Sequence, residues 1–423
     1  MSLDFQIIQK KLISFQYYLL ILLTLLIPYW GFFEKFQHLS VLLFIFVLLS
    51  GLFNIQNIKK IFNDKIIISL SLFFLFLTFS ILWSPQKEVT WEYWKNLHNY
   101  KYYFLLLFSI YSMKLSAQQI KKLLFIMAIA PFGTSIIYYL NALGITHIYS
   151  ALFFHGNSNL LSHYLINNFF ILYSASYFYL LFFEYLMKKE FKYMFLSLLT
   201  TLFFATSLII DPLSIARLMI LGYLIVLLTV PLFYLHKKHA IGIIILIILC
   251  SFLFISQNQK MQQGIQTITT AIENDKYTGS WGHRLGFAIV GMSIFKEHPI
   301  IGRGINDVRA RTIEFAKENP KYFVKDPNRH FHNEHINFLV ESGIVGYILF
   351  LFFIYMFLSL SIEDSFINKL KNTFIIYYLI IMLGEHYIST QQTGSFFFLF
   401  VGLILLFKQQ KSISLQPSKE QLL

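Results

Sequence analysis

The sequence predicts an all-α polytopic membrane protein of about twelve transmembrane helices, with one large extracytoplasmic loop containing amphipathic helices. Three observations predict it. Of the 423 residues, 57% are hydrophobic and 13% charged, with 48 Phe and 26 Tyr, which is far from the composition of a soluble globular domain. Apolar runs of about 15–25 residues, the length that crosses a bilayer as helix, recur from end to end. A single long polar stretch, residues 257–333, interrupts them late in the chain.

The spans are read at about 15–33, 39–53, 66–84, 100–113, 123–143, 160–186, 191–210, 214–235, 240–256, 334–358, 372–388 and 394–408. Residues 1–256 thus hold spans one to nine, 257–333 the loop, 334–408 spans ten to twelve, and 409–423 a polar tail. The first run, Phe15–Phe33, is long enough to stay in the membrane and no small-residue cleavage site follows it, so no cleaved leader is expected.

Lysine placement orients the chain. With the N-terminus in the cytoplasm, the inside connections carry 18 lysines and the short outside ones 4, namely Lys35, Lys87, Lys95 and Lys101. Both termini are then cytoplasmic and the 257–333 loop faces outward. The net charge of +13 reflects this orientation rather than an affinity for nucleic acid. The single cysteine, Cys250, allows no intrachain disulfide and is read as buried filler.

Within the loop, Met261–Ile272 is read as a short helix and Tyr277–Gly282 as a break. His283–Glu297 is read as an amphipathic helix with Leu285, Ile289, Met292 and Phe295 on its apolar face. Pro299, Gly302 and Gly304 (HPIIGRG) make a turn, and Arg309–Asn319 forms another surface helix.

Five of the six arginines lie in this loop: Arg284, Arg303, Arg309, Arg311 and Arg329. Arg217 is the sixth, and every other cation besides histidine is lysine. Lysine suffices for bare charge, whereas the planar arginine fork grips phosphate or carboxylate at two points. The loop is therefore read as the working part and the spans as its scaffold. Its net charge is only +4, from 11 cations and 7 anions, so local placement matters more than overall field.

Arg217 lies about three residues inside its span, at the outward end, where an unpaired guanidinium costs several kcal/mol. Snorkelling or pairing with Asp211 is the structural alternative, and Asp211 can also be an N-cap with Pro212 at the first helical position. His332 stands where the loop re-enters the bilayer, between His330 and His335 and before Asn333. A neutral imidazole there can take a proton from a hydroxyl, and a protonated one can hold an anion. Glu334 and Glu341 are alternative bases. A zinc site is disfavoured, because the HxHxxH spacing mixes strand and helix periods and no cysteine is near. Trp83, Trp91, Trp94 and Trp281 fit an interfacial aromatic belt before a sugar platform. No glycine-rich phosphate loop, outward acidic metal pair or midplane ring of charge is present, which argues against a nucleotide engine, a metal-dependent nucleotide-sugar enzyme and an ion channel.

Three local patterns resemble the O-antigen ligase and polymerase superfamily of Gram-negative bacteria, and its ligase branch most closely. The first is His332, Asn333, nine residues, then Gly343-Ile344-Val345-Gly346. The second is the arginine-led helix followed by HPIIGRG, Arg284 through Gly304. The third is a small residue before Arg at the start of a span, Ser214-Ile215-Ala216-Arg217, where the family usually has Ser or Thr directly before the Arg and this chain has Ala216. The architecture, with both ends inside and one large late loop, is similar along the whole chain.

The resemblance implies an inner-membrane enzyme of lipopolysaccharide biosynthesis with its active site on the periplasmic face. Such an enzyme moves a finished glycan from undecaprenyl diphosphate to a sugar of lipid A–core. It inverts the anomeric carbon and uses no nucleotide, no cofactor and no required metal, and nucleic acid is not among its partners. By carry-over, Arg217 and Arg284 bind the diphosphate and His332 assists the acceptor hydroxyl or the diphosphate. Arg303, Arg309, Arg311, Arg329 and Asn333 are expected in substrate binding. The alternatives are an O-antigen polymerase, a protein O-oligosaccharyltransferase and, from another class, a flippase for lipid-linked saccharides. No arginine is followed by Gly eleven positions on, as polymerase loops often are, and the charges gather at one face rather than along a central path.

Overall fold

The computed structural model describes residues 3–29, 33–50, 55–148, 163–211, 216–322 and 331–414. Among them all regular structure is helical. The elements are α1 (Leu3–Leu26), α2 (Phe33–Leu49), α3 (Ile55–Asn63), α4 (Lys65–Phe79), α5 (Trp91–Ser112), α6 (Ala117–Ile129), α7 (Phe132–Ala142), α8 (Tyr164–Lys188) and α9 (Phe191–Ile210). They continue with α10 (Arg217–Tyr234), α11 (Lys237–Gln257), α12 (Gln259–Asn274), α13 (Gly279–Glu297), α14 (Val308–Glu318), α15 (Glu334–Leu358), α16 (Ser365–Ile381) and α17 (Gln391–Ser414).

Eight stretches of helix among the described residues are long and apolar enough to cross a membrane: 65–82, 117–142, 164–188, 191–210, 217–234, 237–257, 334–358 and 391–410. This makes the chain a polytopic membrane protein. They coincide with eight of the twelve expected spans. The other four fall on α1, α2, α5 and α16. Of these, α2 and α16 have 17 residues each. The first halves of α1 and α5 carry Gln9, Lys10 and Lys11, and Lys95, Asn96 and Asn99, respectively. The expected count of twelve is therefore not reached by length and apolarity.

Helix starts are written in the local sequence. Asp64 Oδ1 accepts from Ile66 N at 2.9 Å, Ser116 and Gln119 form a reciprocal capping box, and Asp364 caps α16 through Ile367 N at 3.1 Å. Asp211 is not the cap of α10. It is the buried C-cap residue of α9, and α10 starts at Arg217 after Ala216, which supplies no side-chain cap.

The core runs through the bundle, and its part among α8, α16 and α17 is rich in rings. Phe374 and Phe400 stack at 4.1 Å, Phe169 and Tyr387 at 5.6 Å, and Tyr173 meets Phe396 edge-on at 5.0 Å. By contrast, α11 is almost wholly exposed, and so is Cys250. Cys250 is thus a lipid-facing residue and not buried filler, because α11 packs mainly against α10 and α12 and turns the rest of its surface outward.

The two ends of the bundle differ. At one end Lys121 pairs with Asp364 at 2.6 Å, and Lys371, fully buried, donates to the carbonyls of Phe357 and Leu358 in the last turn of α15 and of Leu360 just past it. The arginines gather at the other end.

Candidate active site

At the arginine-bearing end, the polar stretch is anchored by a backbone seam. Helix α15 is interrupted at Gly343, whose φ of 63° and ψ of −166° are not helical. The HPIIGRG turn fills the break. Arg303 N donates to Val340 O at 2.8 Å and Gly304 N to Glu341 O at 2.9 Å, while Ile344 N donates to Pro299 O at 2.8 Å and Val345 N to Ile300 O at 3.1 Å. A Cβ at Gly302 would lie 2.5 Å from the Glu341 carbonyl carbon, and one at Gly343 would strike Ile300 O. Gly302 and Gly343 both have positive φ. Two separate sequence patterns are therefore the two halves of one structure. Trp83 Nε1 donates to Ile301 O at 3.1 Å, and Asn306 Nδ2 donates to Gln86 O and Glu88 O, tying the turn to the α4–α5 connection.

The helix α13 lies on this seam with a face other than the expected one. Phe287, Val290, Gly291 and Ile294 are buried against Phe331, Ile336 and Val340. Leu285, Ile289, Met292 and Phe295 lie on the half-buried or exposed side. The helix is apolar on two faces, so a single stripe read from sequence chose the wrong one to bury.

Three of the expected residues converge here. Arg284 Nε donates to Gly384 O at 3.2 Å, and Nη1 donates to Ser280 Oγ at 2.6 Å. A Cβ on Gly384 would lie 2.8 Å from Leu218, so the start of α10 packs on the same residue. Arg217, first residue of α10, sits 5.6 Å from the centre of the Trp281 ring and feels the charge of Arg284. Among the described residues neither guanidinium forms an ion pair with a carboxylate. His332 is the third. Its φ of 49° is a left-handed value that costs a non-glycine residue about 1–3 kcal/mol. It turns the ring so that Nδ1 lies 2.9 Å from Glu385 Oε2.

Glu385 was not found in the sequence, and neither were its other partners. His386 Nδ1 lies 2.5 Å from Glu385 Oε1. His163, just before α8, is within electrostatic reach of Glu385, His332 and His386. The helix α16 ends at Ile381, so residues 382–390 lie beyond it and not within the span expected at 372–388. Burial raises the Glu385 pKa, but hydrogen bonds from His332 and His386 outweigh it and hold the carboxyl well below the usual carboxylate range. Burial lowers His386, and the Glu385 bond reverses this and leaves it raised. Burial pulls His163 down to about 4 against the opposing pull of Glu385. An ionised Glu385 facing Nδ1 fixes the proton of neutral His332 on that nitrogen and gives Nε2 the lone pair. Among the described residues no group of three or more His, Cys, Asp or Glu is placed to hold a metal ion.

The remaining expected residues are placed otherwise. Arg303 Nη1 meets Glu297 Oε2 at 2.6 Å and its Nε meets Asp307 at 2.6 Å. Arg311 Nη2 meets Glu297 Oε1 at 2.7 Å, with Glu314 and Glu318 each at 3.5 Å. Both forks are engaged by carboxylates of their own stretch. Arg309 is half-buried on α14. Asn333 is the N-cap of α15, accepting from Ile336 N at 3.1 Å. Arg329 and His330 lie outside the described residues. Glu334 is fully buried and accepts from Ile388 N at 2.8 Å, Ser389 N at 3.1 Å and Ser389 Oγ at 2.5 Å, which commits it to holding the 382–390 segment. His335 is likewise engaged, with Leu379 O and Tyr347.

No curated protein matches the chain. Residues 202–351, which contain Arg217, Arg284 and His332, match the family model described as O-Antigen ligase.

Proposed function

We propose that the protein is an O-antigen ligase of the bacterial inner membrane. It transfers a glycan from undecaprenyl diphosphate to a sugar of lipid A–core on the periplasmic face, inverting the anomeric carbon without metal or nucleotide. The observation that carries this reading is the pair Arg217 and Arg284, two guanidiniums within electrostatic reach of each other, neither in an ion pair with a carboxylate among the described residues. Such a pair is stable when an anion with several oxygens lies between the two forks, and a diphosphate supplies one.

The placement of these residues supports the following chemistry. The acceptor hydroxyl gives its proton to His332 Nε2 as its oxygen attacks the anomeric carbon. The bond from that carbon to the diphosphate oxygen breaks on the opposite face. Arg217 and Arg284 stabilise the negative charge that gathers on the leaving diphosphate, an effect strengthened in a site that excludes water. Glu385 holds the His332 ring and balances the imidazolium that forms. Arg303 and Arg311 support the fold of the loop and are not assigned to substrate.

A lipopolysaccharide gel tests the reading. The source bacterium with the gene deleted should lose its ladder and accumulate polymerised glycan on the lipid carrier. Wild type should restore the ladder, and Arg217→Ala or His332→Ala should not. Cores capped by a single repeat would instead identify a polymerase. An unchanged ladder would point to protein glycosylation or to transport.

A further inference from the structure

We infer that Trp281 is a positioning residue for the diphosphate site, setting the orientation of the Arg217 guanidinium through its indole face. This rests on the reading of Arg217 as a diphosphate ligand.

The ring is held by a seam of small residues. Helix α12 and the start of α13 meet at Gly264, Thr267, Gly279 and Gly282. Thr267 Oγ1 donates to Gly264 O at 2.7 Å. A Cβ on Gly279, whose φ is +73°, would lie 2.6 Å from the Thr267 methyl group, and one on Gly282 would lie 3.3 Å from Thr267 O. With the helices this close, the Trp281 ring lies on Gly264. A Cβ at Gly264 would stand 3.2 and 3.3 Å from Trp281 Cδ2 and Cε2 and 3.4 Å from Arg217 Nη1. Indole, guanidinium and the bare glycine backbone therefore meet at one point.

The consequence is chemical. Arg217 and Arg284 carry like charges that act on each other, and the Trp281 ring 5.6 Å from the Arg217 guanidinium is what holds Arg217 in place before substrate arrives. A carboxylate would hold it but would also compete with a diphosphate for the same N–H groups. An indole face attracts the cation through its π-quadrupole and accepts none of its N–H groups as a carboxylate would, so the fork stays available to an anion. Arg217 is thereby fixed without being neutralised.

The test is binding of undecaprenyl diphosphate to the purified full-length protein in detergent. It compares wild type with Trp281→Phe, Trp281→Leu and Trp281→Ala, each alone and in an Arg217→Ala background. Phe keeps an aromatic face and should bind within about threefold of wild type. Leu and Ala should both weaken binding about tenfold, the scale of one partly desolvated cation–π contact. Neither should weaken it further once Arg217 is gone. If Leu binds as well as Phe, the ring acts by packing alone and the inference is overturned. Equal losses with and without Arg217 would overturn it as well. Failure of the folded wild type to bind this lipid would contradict the underlying reading of Arg217, and the inference with it.

Discussion

Glu385 Oε2 stands 2.9 Å from Nδ1 of His332, a residue 53 positions earlier in the chain. The contact sets both the tautomer and the direction of the ring. Glu385→Gln can still hydrogen-bond Nδ1 but does not balance an imidazolium. Transfer should therefore fall by about 10²-fold, toward the contribution of the general base itself, with normal protein levels in the membrane. Initial rates of Glu385→Gln and His332→Ala, set against membrane abundance, check this. Full activity in Glu385→Gln would remove the carboxylate from the account.

The arginines divide into two classes with opposite signatures. Arg284→Lys should keep the fold and lose most of the transfer, because an ammonium does not replace the fork that bonds to Gly384 and Ser280. Arg311→Lys should leave transfer nearly unchanged and destabilise the protein by about 1 kcal/mol, the scale of a partly exposed ion-pair network. Activity and thermal unfolding measured on the same two preparations separate the classes.

The loop network also predicts a response to acid. Hydrogen bonds from Arg311 lead the causes that hold Glu297 below its ordinary carboxylate pKa. Its contribution is therefore complete above the ordinary carboxylate range and is lost as the pH falls through the depressed value. Between pH 6 and pH 3 the unfolding temperature of wild type should drop further than that of Glu297→Gln, which has no such proton to bind. Parallel curves would contradict the assignment.

The seam between HPIIGRG and α15 is steric. Gly343→Ala adds a Cβ against Ile300 O at a positive φ and should cost several kcal/mol of local structure, lowering abundance in the membrane. Gly242→Ala meets nothing within 4 Å and should leave abundance unchanged or slightly raised. Quantifying both proteins in membranes distinguishes this from a general intolerance of glycine replacement.

Much of this was legible in the sequence because it is local. Eight spans follow from apolar length, Asn333 announces the start of α15, and Arg217 announces its own cost within a membrane segment. The remainder depends on contacts between distant stretches. Glu385 and His386 follow the apolar run that ends α16, and they read as the tail of a span although an acidic residue there was a signal in its own right. Gly343 reads as one more helical residue, and only its partner strand of backbone, 299–304, explains the break. The two apolar faces of α13 are equivalent on a helical wheel, so the choice between them rests on what Phe331 and Ile336 offer. Arg303 and Arg311 look like ligand residues until Glu297 is seen between them.

The most direct measurement is transfer in reconstituted vesicles containing only the purified protein, undecaprenyl-diphosphate-linked glycan and lipid A–core, without nucleotide and with a chelator present. The account predicts glycan on lipid A–core in equal amount to undecaprenyl diphosphate released, with wild type active and Arg217→Ala and His332→Ala inactive at equal protein. Release of the carrier without glycan on the core, or transfer that persists in both variants, would contradict it.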